Sequence, residues 1–194
     1  MNGWYGGVIA NQIAQGTGVN QRIGNRIQPL YLDYNALLSW DYTQVGNEEV
    51  KITTENVTSL NAQVIIAIVV DKQPTWSPFS PDDDTYVPNI GSIYTPIEIF
   101  DAYPNLPNEG RFDIIFQKKF PMGWLNNNNK VINGRIDLTD YQTIYNNSAK
   151  TDYPSTNAVY MYAYVPAFQY LNNNITEGYG IEVQLSTTMR YTDI

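Results

Sequence analysis

The stretch VIIAIVV at residues 64–70, which is followed directly by DKQP at residues 71–74, decides the fold of this chain. Every residue of the first run except Ala67 is β-branched, and β-branched side chains favour a pleated strand. A run of this length also occurs in buried helices, but the β-branched content and the abrupt polar stop favour a strand. No polar residue interrupts the run, so we expect a strand at the centre of a sheet, covered on both faces.

Other segments alternate between apolar and polar residues, which predicts strands with one buried and one exposed face. Residues 181–191 place aliphatic side chains inward and polar ones outward. In residues 159–165, aliphatic side chains alternate with tyrosines, so we expect both sides of that strand to be covered. Residues 131–139 and 141–145 predict two further strands. In residues 111–120, Lys118 interrupts an apolar face whose predicted inward side chains are Phe112, Ile114, Phe116 and Phe120.

Residues 22–27, with the sequence RIGNRI, also alternate. The pattern predicts Arg22 and Arg26 on one side of a strand and both isoleucines on the other. The two arginines are candidates for phosphate contacts, and the alternative is that they are ordinary solvent-facing residues.

Pro29 shifts the phase of the apolar positions, which continue at even residue numbers from 30 to 40. A proline within a long strand fits an edge position or a β-bulge. Residues 1–21 are rich in Gly, Asn and Gln and are predicted to be an irregular arm or turn. Their glycine-rich segment has no preceding strand, no Gly-Lys-Ser/Thr and no following helix, so a nucleotide loop is not predicted.

The connections between the predicted strands are too poor in helices for βαβ units. The chain is therefore predicted to be all-β, a single antiparallel two-sheet jelly-roll sandwich spanning residues 1–194, with about eight strands and long loops. Residues 74–107 form the longest loop region and contain seven prolines. Within it, Thr95-Pro96-Ile97-Glu98 predicts one short helix, because Thr caps it, Pro occupies its first position and Glu follows three residues after the cap.

Composition excludes several classes of function. The chain has 194 residues and contains neither Cys nor His. Disulfide frameworks, zinc fingers and Ser-His-Asp or Cys-His catalytic sites are therefore ruled out. With a net charge of -8, nucleic acid would have to bind through a local basic patch and not through the overall field. No cofactor is indicated, and the aspartates at residues 82–84 fit a solvated loop better than a calcium site.

Four short motifs occur in an order that resembles the capsid proteins of small circular single-stranded DNA viruses that encode a replication protein (circovirus-like viruses). We call them markers one to four. Marker one is QGT at residues 15–17 with QRIGNRI at 21–27, and marker two is DKQP at 71–74. Marker three is RFDIIFQKK at 111–119, and marker four is MRYTD at 189–193.

The resemblance implies a jelly-roll subunit that is not an enzyme and assembles into a T=1-type icosahedral shell of roughly sixty copies around circular single-stranded DNA. It implies a virion protein, no membrane partner, and a host receptor that the sequence does not identify. Such proteins usually carry an arginine-rich N-terminal arm, which often directs them to the host nucleus. No such arm precedes the first predicted strand, so we expect that it has been removed or never existed. The candidate DNA contacts are then Arg22, Arg26, Lys118 and Lys119.

Two other functions stay open. A carbohydrate-binding jelly-roll module would use exposed Trp4, Trp76 and Trp124 together with the abundant Tyr and Asn, and three Asn-X-Ser/Thr sequons would permit secretion. A glycosidase needs only two carboxylates, but no pair stands out by context.

Overall fold

The computed structural model describes residues 4–42, 61–74, 86–87, 103–104, 110–123, 129–146, 152–165, 168–169 and 179–194. These residues form strands, turns and irregular segments and contain no helix. The predicted helix at residues 95–98 lies outside them. In chain order the strands are β1 (Trp4–Ile9), β2 (Arg26–Tyr42), β3 (Asn61–Asp71), β4 (Tyr86–Val87), β5 (Tyr103–Pro104), β6 (Phe112–Gly123), β7 (Asn129–Asp137), β8 (Thr143–Tyr145), β9 (Pro154–Thr156), β10 (Ala158–Val165), β11 (Phe168–Gln169) and β12 (Tyr179–Asp193).

Two antiparallel sheets carry the fold, which confirms the predicted architecture. In sheet I the order is β1-β10-β3, with β6 on the other side of β3 and β11 pairing with the start of β3. In sheet II β2 lies between β12 and β7, and its first residues pair with β8, which pairs with β9. The strands β4 and β5 pair only with each other. Five of the twelve strands have three residues or fewer, which explains why the count exceeds the prediction.

The sheets pack face to face around one core, so the fold is a β-sandwich. Among the strands of the two sheets, the chain changes sheet from β1 to β2, from β2 to β3, from β6 to β7, from β9 to β10 and from β11 to β12, a jelly-roll-like arrangement. Burying one Val, Leu, Ile, Phe or Met side chain in such a core contributes about 1.5–3 kcal/mol to the stability of the fold. The buried core residues are Leu32, Tyr34, Ala36 and Leu38 of β2, Val64, Ile66, Ile68 and Val70 of β3, Phe120 and Met122 of β6, Ile132 of β7, Leu138, Val159, Met161 and Ala163 of β10, and Ile181 of β12.

The strand β3 is covered on both faces, as predicted from its unbroken apolar run. Its even-numbered residues from 64 to 70 lie in the core between the sheets. Its odd-numbered residues Ile65, Ala67 and Val69 are equally buried on the outer face, where they pack with Phe112 and Tyr162. The tyrosine face of β10 is therefore buried at Tyr162, which confirms that both sides of that strand are covered.

Among the strands longer than three residues, one was not predicted. Residues 4–9 form β1, which pairs with β10, where the sequence indicated an irregular arm. The glycines at positions 6 and 7 hide this strand from propensity, but Gly7 has a packing reason. A Cβ atom added there would lie 3.3 Å from the carbonyl oxygen of Met161 and 3.3 Å from Cβ of Tyr162. The close approach of β1 to β10 therefore leaves little room for a side chain at this position.

Two β-bulges change which residues face the core. In β2 the register shifts opposite Arg190/Tyr191, so Leu30 is extra and half-exposed while Ile27 and Leu32 are buried. This confirms the predicted phase change near Pro29, in a central strand and not an edge strand. In β6 the register shifts between Ile68 and Val69, so the prediction that Phe112 and Ile114 share one face with Phe116 and Phe120 was wrong. The extra residue sends the first two to the outer cluster and leaves Phe120 in the core.

Candidate nucleic-acid interface

Arg22 is buried, and its side chain contacts Ile13, Gly24 and Tyr145. Its side chain is 1% exposed, and its Nε donates a hydrogen bond to the carbonyl oxygen of Ile13 at 3.1 Å. A second nitrogen of the guanidinium donates to the carbonyl oxygen of Gly24. The guanidinium carbon also lies 3.9 Å from the centre of the Tyr145 ring. Burial in this setting removes Arg22 from the groups that can reach a phosphate in solution.

The pattern that placed both arginines on one side was wrong. Strand β2 begins only at Arg26. Arg22 forms an isolated β-bridge with Gln15, and residues 23–25 are bends, so the side chains before β2 do not follow a two-residue period. As a result Arg22 and Ile27 are buried, while Ile23 is 72% exposed and Arg26 is exposed. Of the two arginines, only Arg26 presents its charge to solvent.

The Tyr145 side chain extends the cluster around Arg22 toward the opposite sheet. Its hydroxyl donates to the carbonyl oxygen of Asn11 at 2.7 Å, and burial raises the pKa of that hydroxyl. The Asn11 side chain in turn donates to Thr143 Oγ1 at 3.1 Å and accepts the backbone N–H of Val159 at 2.9 Å. These contacts connect the segment before β2 to β8 and β10.

Markers one and four meet in space. Strand β12 pairs with β2 down to Asp193 opposite Ile27, and Asp193 Oδ1 accepts the backbone N–H of Ile23 at 3.2 Å. The backbone N–H of Ile194 then donates to the carbonyl oxygen of Arg26 at 3.4 Å. We call residues 22–27 and 189–194 together the terminal cluster.

Markers two and three meet in a second cluster, which we call the Asp71 cluster. The carboxylate of Asp71 is 2% exposed and receives two hydrogen bonds from Arg111, at 2.9 and 2.7 Å. It also accepts the backbone N–H of Gln73 at 3.0 Å, and Lys72 Nζ pairs with Asp113 at 2.7 Å. Each charged residue of DKQP and RFD is thus matched by one of the other motif.

The Asp71 cluster and the Arg22 site lie at the same end of the sandwich. Ala158 pairs with Asp71, and the residue before it, Asn157, accepts a hydrogen bond from the Asn11 side chain at 2.8 Å. Asn157 has a positive φ of 51°, which Asn tolerates better than most residues. It therefore turns the chain between β9 and β10, where the two clusters adjoin.

The lysines predicted as DNA contacts do not lie together. Lys118 lies opposite Ile66 of the inner core, and Lys119 lies opposite Ile65 on the outer face of sheet I. Both are exposed, but successive strand residues point to opposite faces. Arg26 begins a strand of the other sheet. The four candidates therefore do not form one surface.

Sequence reasoning missed Lys130, whose ammonium group lies near the same aromatic ring as that of Lys118. Lys130 belongs to β7 of sheet II, and its Nζ lies 5.9 Å from the centre of the Phe120 ring. Lys118 Nζ lies 5.4 Å from the centre of the same ring. We call this pair of exposed lysines the lysine edge, since it bridges the edges of the two sheets. No local motif around residue 130 carries a signal for it.

Another exposed arginine is engaged with a neighbouring carboxylate. Arg135 pairs with Asp33 through two hydrogen bonds of 2.7 and 3.0 Å on the outer face of sheet II, and its guanidinium lies 4.0 Å from the centre of the Tyr31 ring. The hydrogen bond from Arg135 lowers the pKa of the Asp33 carboxyl. This arginine contributes less net positive charge to the surface than the lysine edge does.

Within the described part of the chain, no group of three or more acidic residues is arranged to hold a metal ion. Nor do those residues include a helix long and apolar enough to span a membrane. The aspartates at residues 82–84 and two of the three tryptophans proposed for sugar binding, Trp76 and Trp124, lie outside the described residues. No protein-family model and no curated protein matches this chain.

Proposed function

We propose that this chain is the coat subunit of a small icosahedral shell that encloses single-stranded DNA. The proposal rests first on the resemblance carried by the four ordered markers. The observation that supports it best is that the markers are joined in pairs in space, one with four and two with three. Asp193 accepts a hydrogen bond from the backbone of Ile23, and Asp71 accepts two from Arg111, so the markers are linked by side-chain contacts in addition to the pairing of their strands.

The β-sandwich suits this role because it displays loops and edges on a rigid frame. A shell is built when one surface of a subunit meets a different surface of the next in a closed symmetric arrangement. Such contacts are stabilised by apolar side chains buried at the centre of the interface and surrounded by a polar rim.

Exposed apolar residues near the terminal cluster support self-association. Val19 is fully exposed, Ile23 is 72% exposed and Ile194 is 58% exposed. The loop that carries the first two is ordered by hydrogen bonds, for instance from the N–H of Gly18 to Gln21 Oε1 at 2.8 Å. Ile23 and Ile194 belong to the two segments that meet in the terminal cluster, so their exposed apolar surface lies in one region, which favours a protein–protein contact there.

Electron microscopy of the purified chain tests the proposal. We expect closed particles of uniform diameter that appear cooperatively above a threshold concentration, with or without added single-stranded DNA. A chain that stays monomeric under all concentrations and salt conditions would overturn the proposed function.

A further inference from the structure

The lysine edge is a basic region in an acidic protein. The whole chain carries 11 basic and 19 acidic side chains. Yet the segments around the edge, residues 114–123 of β6 and 129–134 of β7, contain no carboxylate. Their paired segments in β3 and β2, residues 61–68 and 34–39, contain none either. Within these segments no carboxylate neutralises the positive charge of the two lysines.

Both ammonium groups lie near the ring of Phe120. Both lie within 6 Å of its centre, the range in which a cation is attracted to an aromatic face. Their separation is at most about 11 Å, which is of the order of the screening length of about 8 Å at physiological salt, so the two like charges repel each other. An anion placed between the two lysines removes this repulsion and gains two charge-assisted hydrogen bonds.

We propose that Lys118 and Lys130 bind the phosphate backbone of single-stranded nucleic acid along the lysine edge. This inference rests on the proposed function and specifies where the shell subunit holds its genome. A strand edge is extended, so it can follow a ligand that repeats its charge along a line.

The assignment separates Lys118 from its neighbour in the sequence. Lys119 has the same charge and lies on the same strand, but it points toward the outer face beside Ile65. It is therefore a matched control for the loss of one positive charge. Both variants replace an exposed side chain, so neither is expected to change stability by more than about 0.5 kcal/mol.

Binding of a fluorescent oligothymidylate to the full chain tests the inference, measured by anisotropy across a salt series. For Lys118→Gln/Lys130→Gln we expect affinity at about 50 mM salt to fall at least tenfold. The slope of log K against log salt should become shallower by about 1.4, since each phosphate contact to a single strand contributes about 0.7. Lys119→Gln should leave affinity within about twofold of the wild type and the slope unchanged. Thermal melting of each variant checks that folding is intact.

Three outcomes would overturn the inference. The first is a wild-type chain that forms shells but does not bind the oligonucleotide, which leaves the proposed function standing. The second is an equal loss of binding in Lys119→Gln and Lys118→Gln. The third is tighter binding of polyglutamate than of oligothymidylate through the same two lysines, which would assign the edge to an acidic protein partner. Oligonucleotide binding that needs both lysines in a chain that never forms shells would support the edge and contradict the shell.

Discussion

Replacing Arg22 with Met tests the conclusion that this arginine stabilises the fold instead of binding phosphate. Met fills part of the volume but leaves the carbonyl oxygens of Ile13 and Gly24 without the donors they now have. A hydrogen bond from a charged group contributes about 1.5–3 kcal/mol. Stacking of a desolvated guanidinium on an aromatic ring, here that of Tyr145, contributes about 2 kcal/mol. These contributions overlap and are reduced by the cost of burying the charge, so we expect a loss of about 3 kcal/mol.

Urea unfolding at a fixed protein concentration, followed by tryptophan fluorescence, measures this loss. In a chain of this size each kcal/mol lowers Tm by about 2–4 °C, so the melting temperature of Arg22→Met should fall by about 10 °C. The matched control is Arg26→Met, four residues away and exposed, which should change stability by less than about 0.5 kcal/mol. A double-mutant cycle with Tyr145→Leu should give a coupling energy of about 1–2 kcal/mol. Equal stability of the two arginine variants, with weaker DNA binding only in Arg22→Met, would refute the reasoning.

Four further outcomes are expected. Arg111→Met should lower the free energy of unfolding by about 3–5 kcal/mol, because it removes the cation paired with the buried Asp71 carboxylate. Lys72→Met, which breaks a more exposed ion pair, should lower it by less than about 1 kcal/mol. Equal losses in urea unfolding would contradict the role given to the Asp71–Arg111 pair. Gly134→Ala should lower the free energy of unfolding by about 1–3 kcal/mol, because the new Cβ would lie 2.6 Å from the Tyr34 hydroxyl oxygen. Gly110→Ala is the control, since its Cβ would meet no atom within 4 Å. A Gly134→Ala variant that melts at the wild-type temperature would refute this packing. The Asp33 carboxyl should titrate below its ordinary pKa in carbon-detected NMR and return toward it in Arg135→Gln. A carboxyl whose pKa is lower in the folded than in the unfolded protein stabilises the fold at pH values above its unfolded pKa. This contribution is lost as the pH falls through the folded pKa. An unchanged titration of Asp33 in the variant would argue against the ion pair. Ile23→Asn should raise the threshold concentration for assembly seen by light scattering, whereas Val131→Asn, also exposed but on the outer face of sheet II, should not; the reverse order would move the contact away from the terminal cluster.

Local periodicity carried most of the fold. The run in β3 was predicted to be buried on both faces because nothing polar interrupts it, and both of its faces are packed. In β12 the predicted inward residues, such as Ile181 and Leu185, pack in the core, and Glu182 and Arg190 are exposed. Such segments are regular over their whole length, so a two-residue period is enough to assign their faces.

The errors arise where one residue breaks the period. An extra residue in β6 moves Phe112 to the other face, and a sequence pattern cannot show which partner residue is skipped. The bends before β2 turn Arg22 inward, toward an aromatic ring more than a hundred residues away in the chain. The glycines in β1 lower the strand propensity of that segment, which forms a strand because it pairs with β10.

The candidate site was the least predictable part. Lys118 was identified from marker three, but Lys130 reaches the same aromatic ring only when the two sheets close over Phe120. Lys119, adjacent in sequence, ends on the opposite face of the strand. Proximity across a sandwich depends on sheet order and register, and neither is written in a local motif.

Native mass spectrometry of the purified full chain over a concentration series tests the central claim most directly. If the chain is a coat subunit, monomers should convert to one closed species of roughly sixty copies, with few intermediates, as expected for a symmetric shell. A mass that stays at 22.1 kDa at every concentration, or a continuous ladder of open oligomers, would contradict it.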